Sequence, residues 1–211
     1  MKRLAILSTA LPFALLMACS QGGPSETVSA PEAPAAQPPA ASGLSRETAA
    51  AAATSTTPLA VGQQAPDFTA NAWLAGEPFE FNLAEARSKG PVIVYFFPAA
   101  FTPGCNLEAR MFSEAIDQFH THNATVIGIT AGNADQLAEF SQDNETCSGK
   151  FAVAADPGAR IAAEYGAVLD ARPEWSNRTS FAIAPNGSIL RVYSDLKPQE
   201  HVREMLEGVS G

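Results

Sequence analysis

Cysteine is scarce in this chain: three of 211 residues, at positions 19, 105 and 147. None has a second Cys three positions on, which argues against the rapid Cys-x-x-Cys exchange of a dithiol oxidoreductase. Histidine is equally sparse. His120, His122 and His201 have no metal-ligating partners at ligand spacing and read as surface residues, so no metal and no other cofactor is expected. Basic residues fall short of acidic ones, 13 against 22, for a formal charge of −9. That balance argues against nucleic acid as a partner and against electrostatic docking on anionic lipid. An apolar run from Leu4 to Ala18 is too short, and too interrupted by Ser8, Thr9 and Pro12, for a stable membrane span. Aromatic residues are absent from Ser20 to Thr57, so that stretch cannot bury enough surface to offset its chain entropy. No internal repeat is visible.

What is present divides the chain in three. Lys2 and Arg3 ahead of the apolar run fit a secretory signal peptide over residues 1–18. Its end, Leu16-Met17-Ala18-Cys19, resembles the lipobox of bacterial lipoproteins. The resemblance implies acylation of Cys19 and, with Ser20 behind it, outer-membrane sorting; the alternative is an ordinary signal with an incidental Cys. The expected address is exported and lipid-anchored, on the outer membrane facing the periplasm, with no membrane contact but the lipid. Residues 19–57, rich in Ala, Pro, Ser and Thr, read as a disordered tether. Residues 58–211 are long enough for one domain with a real core.

That domain is organised around Pro98-Ala99-Ala100-Phe101-Thr102-Pro103-Gly104-Cys105. The preceding run, Pro91 to Phe97, is β-branched and aromatic without polar alternation, as in a central strand covered on both faces. Leu107, Met111, Phe112, Ala115 and Phe119 then recur at helical spacing. Cys105 therefore sits where a strand turns into a helix, near the first turn. Unpaired N–H groups and the positive end of the helix dipole both favour a thiolate there, and the thiolate is the nucleophile. Pro103 suits the first turn. Gly104 lets another group approach the backbone. Thr102 places a hydroxyl near the sulfur, and Pro98 can wall off water. The plain alternative is an inert buried Cys after a Pro-Gly turn.

The arrangement Pro98-x-x-x-Thr102-x-x-Cys105 resembles the active-site signature of the peroxiredoxins, within the alkyl hydroperoxide reductase/thiol-specific antioxidant superfamily. Phe96-Phe97-Pro98 and the nearby Glu108 look most like the Q-type (bacterioferritin comigratory protein) branch. The resemblance covers roughly residues 60–208 and implies a thioredoxin-like α/β fold, a central mixed sheet flanked by helices. It implies a thiol-dependent peroxidase acting on hydrogen peroxide and organic hydroperoxides, with Cys105 peroxidatic and passing through a sulfenic acid. Thr102 and Pro98 serve the loop, and an Arg at the start of a later strand supplies a cation; Arg178 fits that place, with Arg110 and Arg172 as weaker alternatives. Glu108 either orients an Arg or stabilises the helix dipole. Many Q-type members carry a resolving Cys five residues after the first, where this chain has Arg110. Others carry it near the third helix, where Cys147 lies among polar neighbours that argue against a core position. Cys147 either resolves Cys105 or is a bystander to an external thiol. The expected partners are the hydroperoxide and a thioredoxin-like reductant, the expected state a monomer or weak dimer. An exported disulfide oxidoreductase and a non-catalytic binding or chaperone-like module are the competing readings.

The remaining pattern fits that fold. Ala65-Pro66-Asp67-Phe68 opens the domain, and Phe79-Glu80-Phe81 pairs through Gly76 with the segment around Trp73. Asn82 to Glu85 has capping-box spacing before a short helix. Thr125 to Thr130 and Phe151 to Ala154 read as strands. Asn133 to Gln136 caps a third helix, and Asp156-Pro157 caps one closed by Gly166. Thr179 to Ala184 and Ile189 to Tyr193 form a hairpin, and a final helix runs from Pro198 to Leu206.

Overall fold

The structure is a computed structural model and describes residues 56–211. The signal-peptide, Cys19 and tether readings up to residue 55 lie outside the described residues. Nine strands and five α-helices follow in order: β1 (Thr69–Leu74), β2 (Glu77–Asn82), α1 (Leu83–Arg87), β3 (Val92–Phe96), α2 (Pro103–Thr121), β4 (Thr125–Thr130), α3 (Leu137–Gln142), β5 (Ala152–Ala155), α4 (Arg160–Glu164), β6 (Val168–Leu169), β7 (Arg172–Ser176), β8 (Thr179–Ile183), β9 (Ile189–Ser194) and α5 (His201–Ser210). Seven strands form one mixed sheet in the order β2-β1-β5-β4-β3-β8-β9. β3 runs parallel to β4, and β4 to β5; β8 returns antiparallel beside β3.

β3 lies in mid-sheet with both faces covered, which is why its residues are apolar without alternation. Val92, Val94 and Phe96 face one core layer with Tyr165, Ile161 and Phe181. Ile93, Tyr95 and Phe97 face the other, with Phe112, Phe119, Phe140 and Met205 from α2, α3 and α5. The period-2 pleat thus splits one strand between two cores. Asp156 accepts from the backbone N–H groups of Ile161 and Ala162 and so caps α4.

Three expectations need correction. Leu107 is not on the buried stripe of α2; it is 41% exposed. The buried face runs through Cys105, Glu108, Ala109, Phe112 and Ile116, so a carboxylate stands where the periodicity suggested leucine. Asn133 adopts a left-handed backbone and makes no side-chain cap; its amide donates to Ala100 O instead, at 2.8 Å. The hairpin of β6 and β7 had no sequence signal. Its outer residues, Arg172-Pro173-Glu174, are exposed and held by an Arg172 guanidinium 4.1 Å over the Trp175 ring.

Candidate active site

Cys105 is the third residue of α2, behind Thr102 at the N-cap and Pro103 at the first position. Helix geometry leaves its N–H without an intrahelical acceptor. The sulfur is nearly closed off, at 2% exposure. The loop leading to it is bent by Phe101, at φ 56°, a conformation uncommon for a bulky residue. It is tied down at every step. Thr102 Oγ1 donates to Ala99 O at 3.0 Å. Thr130 Oγ1, at the end of β4, donates to Pro98 O at 3.0 Å. Ala100 N–H donates to Gly132 O, and Ala99 bridges Gly132 in parallel. Thr130, Gly132 and Asn133 therefore shape the Cys105 loop from another strand. Sequence reasoning missed them, because only the β3–β4 pairing brings position 130 beside position 98.

Of the three arginine candidates, Arg178 reaches the sulfur. It precedes β8, and β8 lies beside β3, so its side chain arrives at the N-terminus of α2. Its Nη2 donates to Cys105 Sγ at 3.4 Å. Gly104 makes the approach possible: a Cβ there would lie 3.2 Å from that same nitrogen. Arg110 instead pairs with Glu114 and Glu145 on the surface, and Arg172 with Glu174. The other corners of the Arg178 guanidinium are held too. Nε donates to Leu196 O at 2.8 Å, and Nη1 pairs with Glu108 Oε2. Both partners of that contact are buried, so of the two readings of Glu108 the geometry is that of an Arg anchor.

Burial pushes the Glu108 carboxyl up, to about 8, against the pull of the Arg178 guanidinium. The surface assignment of the histidines fails for one of them. His201 is fully buried, bonded to Ser180 and to Asp195 O, with Nδ1 3.5 Å from Glu108 Oε1. Burial pulls its imidazole down to about 4, and the Arg178 charge acts the same way. The contact with Glu108 is therefore not an ion pair at neutral pH. Its polar run Lys197-Pro198-Gln199-Glu200 disguised a buried position.

Cys147 also departs from expectation. It is a free thiol, fully buried in the core layer with Phe97, Phe140 and Phe151. Burial pushes the thiol well up, with Asp143 adding to the effect. The turn that carries it is pinned by Thr146 Oγ1 to Phe140 O, by Lys150 Nζ to Ser113 O on α2, and by Arg110 to Glu145. Of its polar sequence neighbours Asn144 and Glu145 are exposed, while Thr146 turns inward beside it. Tyr95 lies within electrostatic reach of both thiols, its hydroxyl buried against Gly128.

A nucleophilic sulfur, a guanidinium beside it and a helix N-terminus behind it can attack an electrophile and hold the charge it releases. Residues 61–192 match the AhpC/TSA family. A putative peroxiredoxin bcp of Haemophilus influenzae is 29% identical over 156 residues, covering 71% of this chain and 96% of that protein. One of Helicobacter pylori is 31% identical over 156 residues, covering 72% and 98%. The crystal structure of peroxidoxin BcpB from Mycobacterium tuberculosis superposes with a TM-score of 0.63 at 25% identity, covering 71% of this chain and 96% of that one. A match across nearly the whole described domain, in sequence and in fold, has one consequence: the chain belongs to the AhpC/TSA family.

Proposed function

We propose that Cys105 is the sulfur through which this chain reduces peroxide, with Arg178, Thr102 and Pro98 as its partners. As a member of this family the chain is a thiol-dependent peroxidase, taking a peroxide substrate and a thioredoxin-type reductant. The observation that carries the residue assignment is the Arg178–Cys105 contact at the start of α2, 3.4 Å long. The Cys105 thiolate attacks the terminal oxygen of the peroxide. An S–O bond forms as the O–O bond breaks, and the electron pair leaves on the far oxygen, which takes a proton and departs as water or alcohol. Cys105 is left as a sulfenic acid. The Arg178 charge and the Cys105 N–H face the developing negative charge. Thr102 spends its proton on Ala99 O, so its hydroxyl serves as an acceptor for the peroxide O–H. Pro98 covers the loop.

Cys147 is proposed as the resolving thiol. It attacks the sulfenic sulfur and displaces hydroxide, which leaves as water with the Cys147 proton, and a disulfide remains for the reductant to cleave. Its burial favours a second reading, in which an external thiol resolves Cys105 directly. Peptide mass spectrometry of the reduced full chain with one equivalent of hydrogen peroxide decides. A rapid loss of two hydrogens with a Cys105–Cys147 crosslink establishes the intramolecular route. Trappable sulfenic acid on Cys105 with free Cys147 establishes the external one. Undiminished turnover in Cys105→Ser sinks the assignment. Export, acylation at Cys19 and an outer-membrane address facing the periplasm complete the proposal, supported by the N-terminal sequence alone; the proposed state is a monomer or weak dimer. The reductant would then be a thioredoxin-like protein delivered to that side of the membrane.

A further inference from the structure

We propose that His201 is a positioning residue of the peroxidase: it holds the segment that carries one anchor of Arg178, packs behind the other, and so aims the guanidinium at Cys105. This rests on Cys105 being the attacking thiol. A planar guanidinium held at two corners presents the third in a set direction. The two anchors of Arg178 are Leu196 O, on Nε, and Glu108 Oε2, on Nη1. Both meet His201. Its Nε2 lies 2.9 Å from Asp195 O, the carbonyl immediately before Leu196. Its Nδ1 lies 3.5 Å from Glu108 Oε1. Among the described residues none hydrogen-bonds to that oxygen, so the ring acts on it by packing.

The tautomer follows from the partners. A carbonyl only accepts, so the ring proton sits on Nε2 and Nδ1 accepts from the Ser180 hydroxyl at 2.8 Å. Ser180 belongs to β8, two residues past Arg178. In this tautomer the ring tethers the 195–196 segment to the sheet and backs the Oε1 side of Glu108, leaving Oε2 for Arg178. Tyr193 packs edge-on against the ring at 4.8 Å and holds its plane. The hydrogen bonds of His201 go to Ser180 and Asp195 and not to Cys105, so its effect on the reaction passes through Arg178. A histidine that merely fills core would stabilise the fold without that dependence.

The test is a double-mutant cycle on the full chain. The rate at which hydrogen peroxide consumes the Cys105 thiol is read by rapid-quench alkylation and mass spectrometry. His201→Phe, which keeps the volume and loses both hydrogen bonds, is expected to lower that rate about tenfold or more. In an Arg178→Ala background the same change is expected to cost less than about twofold. His201→Gln, whose amide can still donate to Asp195 O, is expected to recover most of the loss. Should His201→Phe fail to fold, Ser180→Ala takes its place in the cycle. It removes the hydrogen bond that ties Nδ1 to β8 and is expected to give a smaller loss that again vanishes without Arg178. An undiminished rate in the His201 or Ser180 variant, an equal loss in both backgrounds, or no recovery with Gln would overturn the inference alone. A wild-type Cys105 inert to peroxide, or one indifferent to Arg178→Ala, would instead overturn the active-site reading, and the inference with it.

Discussion

Glu108 and His201 are buried ionisable groups whose environments push them in opposite directions. The His201 imidazole is held at about 4, against an ordinary 6.5. An unfolded histidine takes its proton near pH 6.5 and the folded one only near pH 4. The stabilisation this represents is full above pH 6.5 and is lost as pH falls through that window, by up to about 3 kcal/mol. Glu108 acts in the other sense: its carboxyl is raised to about 8, so the native state binds more protons than the unfolded one and stability falls as pH rises towards 8. The two slopes overlap between pH 4.5 and 6.5, and only a difference measurement separates them. Urea unfolding of wild type and His201→Gln at pH 7 and pH 4.5 should show their gap in stability moving in the variant's favour at the lower pH; an unchanged gap rejects the His201 assignment. Glu108→Ala should cost about 3 kcal/mol or more, because Arg178 is left buried without its partner, and should slow Cys105 oxidation as well. Neither role was legible in full from the sequence. Glu108 was visible as an acid in the right turn of a helix, with its partner undecided. His201 looked like surface, since a short helix with polar residues before it gives periodicity nothing to grip. Cys147 was hidden in the same way, and for both it is long-range packing that turns the side chain inward.

At the level of elements, the active-site loop depends on the end of β4 as much as on β3 and α2. β3 was legible because an unbroken apolar run has few other homes. The start of α2 was legible because Thr102, Pro103 and Gly104 each have a local reason to be there. The face of α2 was only partly legible: its stripe begins with Cys105 and Glu108, and a search for apolar residues alone chose Leu107. The link to β4 was not legible at all, since it exists only through strand pairing. Two glycines on this side of the sheet test its importance. A Cβ at Gly132 would lie 2.3 Å from Pro98 O and 2.8 Å from Ala99 Cβ, so Gly132→Ala must displace the loop. We expect peroxide reactivity of Cys105 to fall about tenfold or more, as for a misplaced catalytic group. A Cβ at Gly128 would strike the Tyr95 ring at 2.6 Å. Gly128→Ala should therefore destabilise by about 1–3 kcal/mol through overpacking, while the folded fraction keeps its reactivity. Equal losses of reactivity in the two variants would mean that the β4 contact is structural only.

For the molecule as a whole, the decisive fact is that both thiols of the described domain are buried. A disulfide requires Cα atoms within roughly 7 Å and sulfurs at bonding distance; the two sulfurs are not bonded here and share one packed core layer, so joining them means moving side chains or backbone within that layer. Cys105 can move only by loosening the first turns of α2, where Arg178 and Glu108 hold it. Cys147 can move only if the turn from Asp143 to Lys150 leaves the layer it shares with Phe97, Phe140 and Phe151. Arg110 ties that turn to α2 through Glu145, from the position where many Q-type relatives are expected to carry the resolving cysteine. The ion pair is exposed and individually weak, but it joins the two segments that must both rearrange. Three outcomes follow if Cys147 resolves Cys105. Hydrogen exchange across residues 143–150 and the first turns of α2 should speed up on treatment with peroxide, because the low-stability segments open first. Arg110→Ala should quicken disulfide formation by a few-fold. It should leave the first oxidation of Cys105 unaltered, since Arg110 points away from the sulfur towards Glu114 and Glu145. If exchange in the 143–150 turn stays slow while sulfenic acid persists on Cys105, the core does not open. Cys147 is then a packing residue, and the electrons must reach Cys105 from an external thiol.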